Sequence, residues 1–75
     1  MADPKESKYL KAFGKRLAEI RRKRGLTQEQ LAEMADMTTL SLSYIEQGRR
    51  WPRLVTLHKL ADHLKVSVSD FFKSL

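Results

Sequence analysis

The sequence predicts an all-α fold, a compact set of five helices with no strand. Three observations predict it. Apolar residues recur at intervals of three and four rather than two along most of the chain. Two segments, Thr27 to Gln30 and Ser67 to Asp70, open on a hydroxyl residue followed three positions later by an amide or acid, the pattern of a capping box. Gly25, Gly48 and Pro52 fall between periodic stretches, where helices stop.

The first helix starts near Asp3-Pro4-Lys5-Glu6, which offers an acidic cap, a proline tolerated in the first turn and a glutamate three residues after the cap. Ser7 is the alternative cap, and 1–3 is read as a tail. Leu10, Phe13, Leu17 and Ile20 carry the apolar stripe toward Gly25, and Arg21-Arg22-Lys23-Arg24 puts cations where the helix dipole favours them. Thr27 opens a second helix whose core face is Leu31, Ala32 and Ala35. Thr38 caps a third helix of about ten residues, which stops at Gly48, the residue that most easily takes a left-handed conformation. Arg49 to Arg53 is a loop, because Pro52 lacks an amide donor and restricts Trp51 before it. Helix four carries Leu54, Leu57, Leu60, Ala61 and Leu64 on one stripe and ends near Lys65. A short fifth helix holds Phe71, Phe72 and Leu75.

With 75 residues the chain makes one domain, able to bury roughly 60% of its unfolded surface. That leaves room for a single small core and no enclosed catalytic cleft. Fifteen Lys and Arg against nine Asp and Glu give a formal charge of +6, which favours a polyanionic partner, nucleic acid ahead of an acidic membrane. The absence of cysteine excludes disulfides and thiolate metal sites and fits a cytoplasmic protein. No secretory or membrane-spanning apolar run is present.

Helices two and three, joined by a turn too tight for anything but a crossed pair, have the layout of a helix-turn-helix, whose second helix enters the DNA major groove. At about 100° per residue, Leu42 and Ile45 of helix three share one side, while Leu40, Ser43, Tyr44 and Gln47 gather on the other. The outer set carries no charge, which is unusual for a solvated face. Gln and Ser can bond base edges there, and Leu and Tyr can touch thymine methyls. Arg49, Arg50 and Arg53 follow the end of that helix, where a phosphate clamp is geometrically natural.

These residues carry a resemblance. From Phe13-Gly-Lys-Arg-Leu17 through Arg24-Gly-Leu-Thr-Gln-Glu-Gln-Leu-Ala32, Ile45-Glu-Gln-Gly-Arg49 and Pro52 to Leu60-Ala61 and Val66-Ser-Val-Ser-Asp-Phe-Phe72, the chain resembles the lambda-repressor-like, or Xre-type, DNA-binding domains of phage repressors and bacterial transcriptional regulators. The resemblance implies that Gln28 contacts a phosphate or base, and that Thr38, Thr39, Leu40, Ser43 and Tyr44 read bases. It implies an ion pair between Arg21 and Glu46. Thr27, Gln28, Gln47, Arg49, Arg50 and Arg53 are then assigned to phosphates of a double-stranded operator. Three residues depart from the family pattern: Asp36 and Lys65 stand where glycine is customary, and Arg53 where a Ser or Thr cap is.

Other residues are read conservatively. His58 and His63 lie five apart on helix four, about 140° around the axis, so they cannot share a metal. Met34 and Met37 are gap-fillers. Trp51 is a lid on the core edge or, alternatively, a platform against the sugar-phosphate backbone. No metal, cofactor or catalytic constellation is expected. So short a fifth helix can bury only one side, which leaves part of the Phe71, Phe72 and Leu75 patch uncovered. The resemblance implies that these residues form a homodimer interface, whose copies read half-sites about one helical turn apart; the alternative is an intramolecular core. The function expected is a sequence-specific transcriptional regulator. The alternative is an antitoxin-like or adaptor module that binds another protein through helices four and five, with DNA contact secondary; a membrane-surface helix ranks below both.

Overall fold

In a computed structural model, which describes residues 4–73, the chain forms α1 (Pro4–Lys23), α2 (Gln28–Met34), α3 (Thr39–Glu46), α4 (Leu54–Leu64) and a closing 3-10 helix (Val68–Phe72). No strand occurs among the described residues. The tail at 1–3, the Asp3 cap and the Leu75 contact lie outside them.

Local chemistry sets the helix ends. The Thr27 hydroxyl accepts from the Gln30 amide at 3.0 Å, and the Gln30 side-chain oxygen accepts from the Thr27 amide at 2.8 Å, a complete capping box for α2. Thr38 accepts from the Ser41 amide at 3.1 Å to start α3, and Gly48, at φ 75°, ends it. α3 is therefore eight residues long rather than about ten. The two joints that lack a customary glycine keep its geometry: Asp36 and Lys65 sit at φ 57° and 58°, a region costing a non-glycine residue about 1 kcal/mol or more. Arg53 caps α4 with no side-chain bond, as its chemistry dictates.

The core lies where α1 crosses α3 and meets the 3-10 helix, with Leu17, Leu31, Leu42, Leu60 and Leu64 fully buried. Phe13 is its hub. The Phe13 ring stands 5.3 Å from that of Trp51, 5.6 Å edge-on from Phe71 and 5.3 Å from Phe72. Trp51 thus covers one margin of the core.

Two assignments need correction. Phe71, expected at a dimer surface, is wholly buried against Phe13 and is unavailable to a partner. Leu54, expected on the buried stripe of α4, is 71% exposed. Periodicity assigns a side of a helix but not whether a neighbour reaches each residue on it, and among the described residues Leu57 packs against the core while Leu54 is left uncovered. The fifth helix is 3-10 rather than α, since five residues are too few to offset the nucleation cost of an α-helix.

A glycine inside α1 decides how closely the helices pack. A Cβ on Gly14 would lie 2.3 Å from the carbonyl oxygen of Ile45 and 2.7 Å from that of Glu46, so backbone meets backbone where α1 crosses the end of α3. Gly48 is under a second constraint besides its φ, because a Cβ there would meet the Lys11 Cα at 2.7 Å. Gly14→Ala is expected to cost about 2 kcal/mol or more, measured by denaturant melts; a variant as stable as the parent would show that the crossing can open freely.

The 3-10 helix is tied down by charge. Asp70 accepts from Lys73 Nζ at 2.7 Å, the Ser67 amide at 2.9 Å and the Ser67 hydroxyl at 3.1 Å, while Arg16 Nε donates to the Asp70 carbonyl oxygen at 3.0 Å. The Lys73 ammonium first, then the two Ser67 donors, hold the Asp70 carboxyl down at about 2. A carboxyl depressed in the folded state contributes stability above its unfolded pKa, and loses it as pH falls from 3.8 toward about 2. Asp70→Asn is therefore expected to melt below the parent at about pH 5, with the gap closing toward about pH 2. A gap that does not narrow would mean the carboxylate charge is idle.

Candidate nucleic-acid interface

α3 is seated by Leu42 and Ile45, both buried, and its opposite side is open. Thr38 and Thr39 are exposed, Leu40 is 60% exposed, and Ser43 and Tyr44 are half-buried. Helical rotation puts Thr39, Leu40, Ser43, Tyr44 and Gln47 on one side of α3, whereas Thr38, at the cap, lines a groove with Ser41 and Trp51, and several of these polar atoms already have partners. Gln47 Nε2 donates to the Ser43 hydroxyl at 2.7 Å, and Thr38 donates to the Ser41 hydroxyl at 3.0 Å while capping the helix. The Arg49 guanidinium lies 4.7 Å from the centre of the Tyr44 ring, a cation–π contact that joins a base-reading candidate to a phosphate candidate.

The other cationic candidates flank this surface. Arg50 and Arg53 are exposed and, with Thr38 and Ser41, line an open groove of about 280 Å³ beside Trp51 and Pro52. Thr27 is exposed at the start of α2, where its cap bond leaves the hydroxyl proton available to an outside acceptor. Gln28 is half-buried, and its Nε2 donates to Glu46 Oε1 at 2.9 Å, so it braces α2 against α3.

Beneath the surface lies a buried ion pair. Arg21 Nε donates to Glu46 Oε2 at 2.7 Å and Arg21 Nη2 to Glu46 Oε1 at 3.0 Å, a bidentate arrangement, while Nη1 donates to the Leu26 carbonyl oxygen at 2.8 Å. The two side chains are 9% and 5% exposed. No buried side-chain nitrogen or oxygen among the described residues is left without a partner. The late end of α1, the loop before α2, the first turn of α2 and the last turn of α3 thus meet at one carboxylate and one guanidinium.

Several of these features escaped sequence reasoning. The signal for Gly14 was an isolated glycine within a helical stripe, which points to close packing. The Ser43–Gln47 bond was latent in an i, i+4 spacing. Gln28 carried no sequence sign of its bond to Glu46. Among the described residues, no three His, Asp or Glu side chains converge to hold a metal.

Comparison with known proteins places this geometry in a family. The helix-turn-helix family model matches residues 17–71, from the middle of α1 to the 3-10 helix. The chain belongs to the helix-turn-helix family. Within that family it is similar to the HTH-type transcriptional regulator PuuR of Escherichia coli (strain K12), 44% identical over 61 residues that make up 81% of this chain and 33% of PuuR. The chain therefore spans about a third of that regulator's length. Its fold is similar to that of the restriction-modification controller protein C.AhdI from Aeromonas hydrophila, with a TM-score of 0.81 and 36% identity, covering 84% of this chain and 96% of that one. Bacillus thuringiensis PlcR, in a crystal structure with the peptide PapR7 and DNA, superposes with a TM-score of 0.79 at 32% identity, over 87% of this chain and 23% of PlcR.

The ion pair yields a direct test. Removing one member of a buried pair leaves the other uncompensated, at about 3 to 5 kcal/mol. Arg21→Ala and Glu46→Ala are each expected to destabilise by that order, and the double variant by clearly less than their sum, in a cycle of denaturant melts. Additive, small losses would place the pair among surface bridges worth under about 1 kcal/mol.

Proposed function

We propose that the chain is the DNA-binding unit of a sequence-specific transcriptional regulator of bacterial or phage type, acting in the cytoplasm. α3 lies in the major groove of a roughly two-fold operator that two copies share as a homodimer. One observation carries the reading: the open side of α3 presents Thr39, Leu40, Ser43, Tyr44 and Gln47 with no charge among them, while Arg49, Arg50 and Arg53 follow at its end. Uncharged hydroxyl, amide and apolar groups suit base edges and thymine methyls, and guanidinium groups suit phosphates. The regulator names of the relatives and the DNA in the PlcR crystal support the same reading.

In this reading Thr38, Thr39, Leu40, Ser43 and Tyr44 read bases. Thr27, Gln28, Gln47, Arg49, Arg50 and Arg53 fix the register through phosphates, Gln28 from its place against Glu46. Arg21 and Glu46 act at one remove, by holding α3 at a fixed angle to α1. The net charge of +6 supplies the sequence-independent attraction that precedes reading.

Selection from a random duplex pool is the first experiment, with enrichment of a half-site motif expected. On the selected duplex, Tyr44→Ala is expected to lose roughly 1 to 3 kcal/mol while random-sequence binding holds. Equal losses on both would show that the face does not read sequence. Arg49→Ala and Arg50→Ala are each expected to reduce the slope of log affinity against log salt by about 0.9, and an unchanged slope would remove them from the interface.

A further inference from the structure

Tyr44 is the one aromatic side chain on the open side of α3, and what holds its ring comes from beyond the helix. Gly48, at φ 75°, turns the chain so that its amide donates to the Ile45 carbonyl oxygen at 3.1 Å and the Arg49 amide donates to the Tyr44 carbonyl oxygen at 2.9 Å. Such a pair of bonds closes a helix in a Schellman motif, which brings the residue just past the stop beside one in the last turn. Here those residues are Arg49 and Tyr44, and the guanidinium lies 4.7 Å from the ring centre. The backbone of the helix stop thus sets the two side chains together.

We infer that Arg49 is a positioning residue for base reading, holding the Tyr44 ring in the orientation in which it meets the major groove. The inference rests on the DNA-binding reading above and gives a specificity role to a residue otherwise assigned to phosphate. A tyrosine side chain turns about two bonds, and Tyr44 is only half-buried, so the core grips part of it. The ring face attracts a cation, and at an exposed site that attraction is worth about two- to fivefold in an equilibrium. Against the stability of the whole fold this is small. Against the selectivity carried by one base contact it is substantial.

The two duties of Arg49 are compatible. Among the described residues its guanidinium makes no hydrogen bond or ion pair, so all five N–H donors remain for a phosphate while the cation stays over the ring. A phosphate bound there anchors the guanidinium and, through it, the ring. Backbone contact and base contact are then coupled through one side chain. Arg50, next in the chain and also exposed, makes no ring contact and has no such lever.

Affinities of the parent, Arg49→Ala, Arg50→Ala, Tyr44→Ala and the Arg49→Ala, Tyr44→Ala double variant are measured after circular dichroism melts confirm folding. Arg49→Gln, which keeps the aliphatic stem and removes the cation, is carried alongside and is expected to behave as Arg49→Ala. The targets are the selected duplex and a panel in which each base pair of the half-site is changed in turn. Discrimination, the ratio of the two affinities, is the readout, because a phosphate contact by itself carries no sequence information. Arg49→Ala is expected to lose about two- to fivefold in discrimination, confined to the base pair at which Tyr44→Ala loses most. Arg50→Ala is expected to weaken every duplex alike. With Tyr44 already replaced, Arg49→Ala is expected to leave discrimination as it stands while still lowering affinity. Unchanged discrimination in Arg49→Ala overturns the inference, as does a loss spread over all base pairs or a loss of the same size with Tyr44 absent. A parent that prefers no duplex sinks the DNA reading and this inference with it, whereas a selective parent beside an equally selective Arg49→Ala sinks the inference alone.

Discussion

The arrangement of the three N-terminal helices depends on the Arg21–Glu46 pair. Burying two charges is costly, and their attraction offsets that cost only when geometry is good and the remaining donors and lone pairs are used. Here they are: Glu46 receives two bonds from Arg21 and one from Gln28, and the third Arg21 nitrogen reaches the Leu26 carbonyl. A hydrophobic pair of similar volume would pack as stably. It would not specify direction. Bidentate bonds fix an angle, and this one fixes the angle of α3 to α1 while the Gln28 bond fixes it to α2.

Around that joint the domain divides its cations into two groups. Arg21, Arg16 and Arg24 hold the fold, on Glu46, on the Asp70 carbonyl oxygen and, at 3.3 Å, on the Lys65 carbonyl oxygen. Each ties α1 or the residues just after it to a distant segment. Lys8, Lys11, Lys15, Arg22 and Lys23 point outward on α1, and Arg49, Arg50 and Arg53 stand beside α3. Composition alone sums these groups; only packing separates the structural cations from those left for a polyanion.

Much of the fold was legible in the sequence because it is decided locally. Capping boxes act over three residues, glycine stops over one, and the inward turn of Leu42 and Ile45 follows from helical rotation. The exposure of Leu40 was legible for the same reason, whereas Tyr44, expected on the open side with it, is half-buried, with the Arg49 guanidinium over its ring. What was not legible depends on distant neighbours. Leu54 lies on the correct side of α4, yet none of the described elements buries it. Phe71 is buried because Phe13, far away in sequence, offers its ring edge, and Gln28 bends toward Glu46 because α3 ends where α2 begins. The Arg21–Glu46 pair came from family resemblance, since nothing in the spacing of those residues announces it.

The backbone contact at Gly14 reaches beyond stability. Because the last carbonyls of α3 abut the chain of α1 with no side chain between them, α3 can neither slide nor roll without separating the two helices. A short rod clamped in this way behaves as a fixed mount. In the proposed reading, positions 39, 40, 43 and 44 are interchangeable fittings on that mount, and exchanging those few side chains would change the target sequence with no need to re-invent the body that carries them.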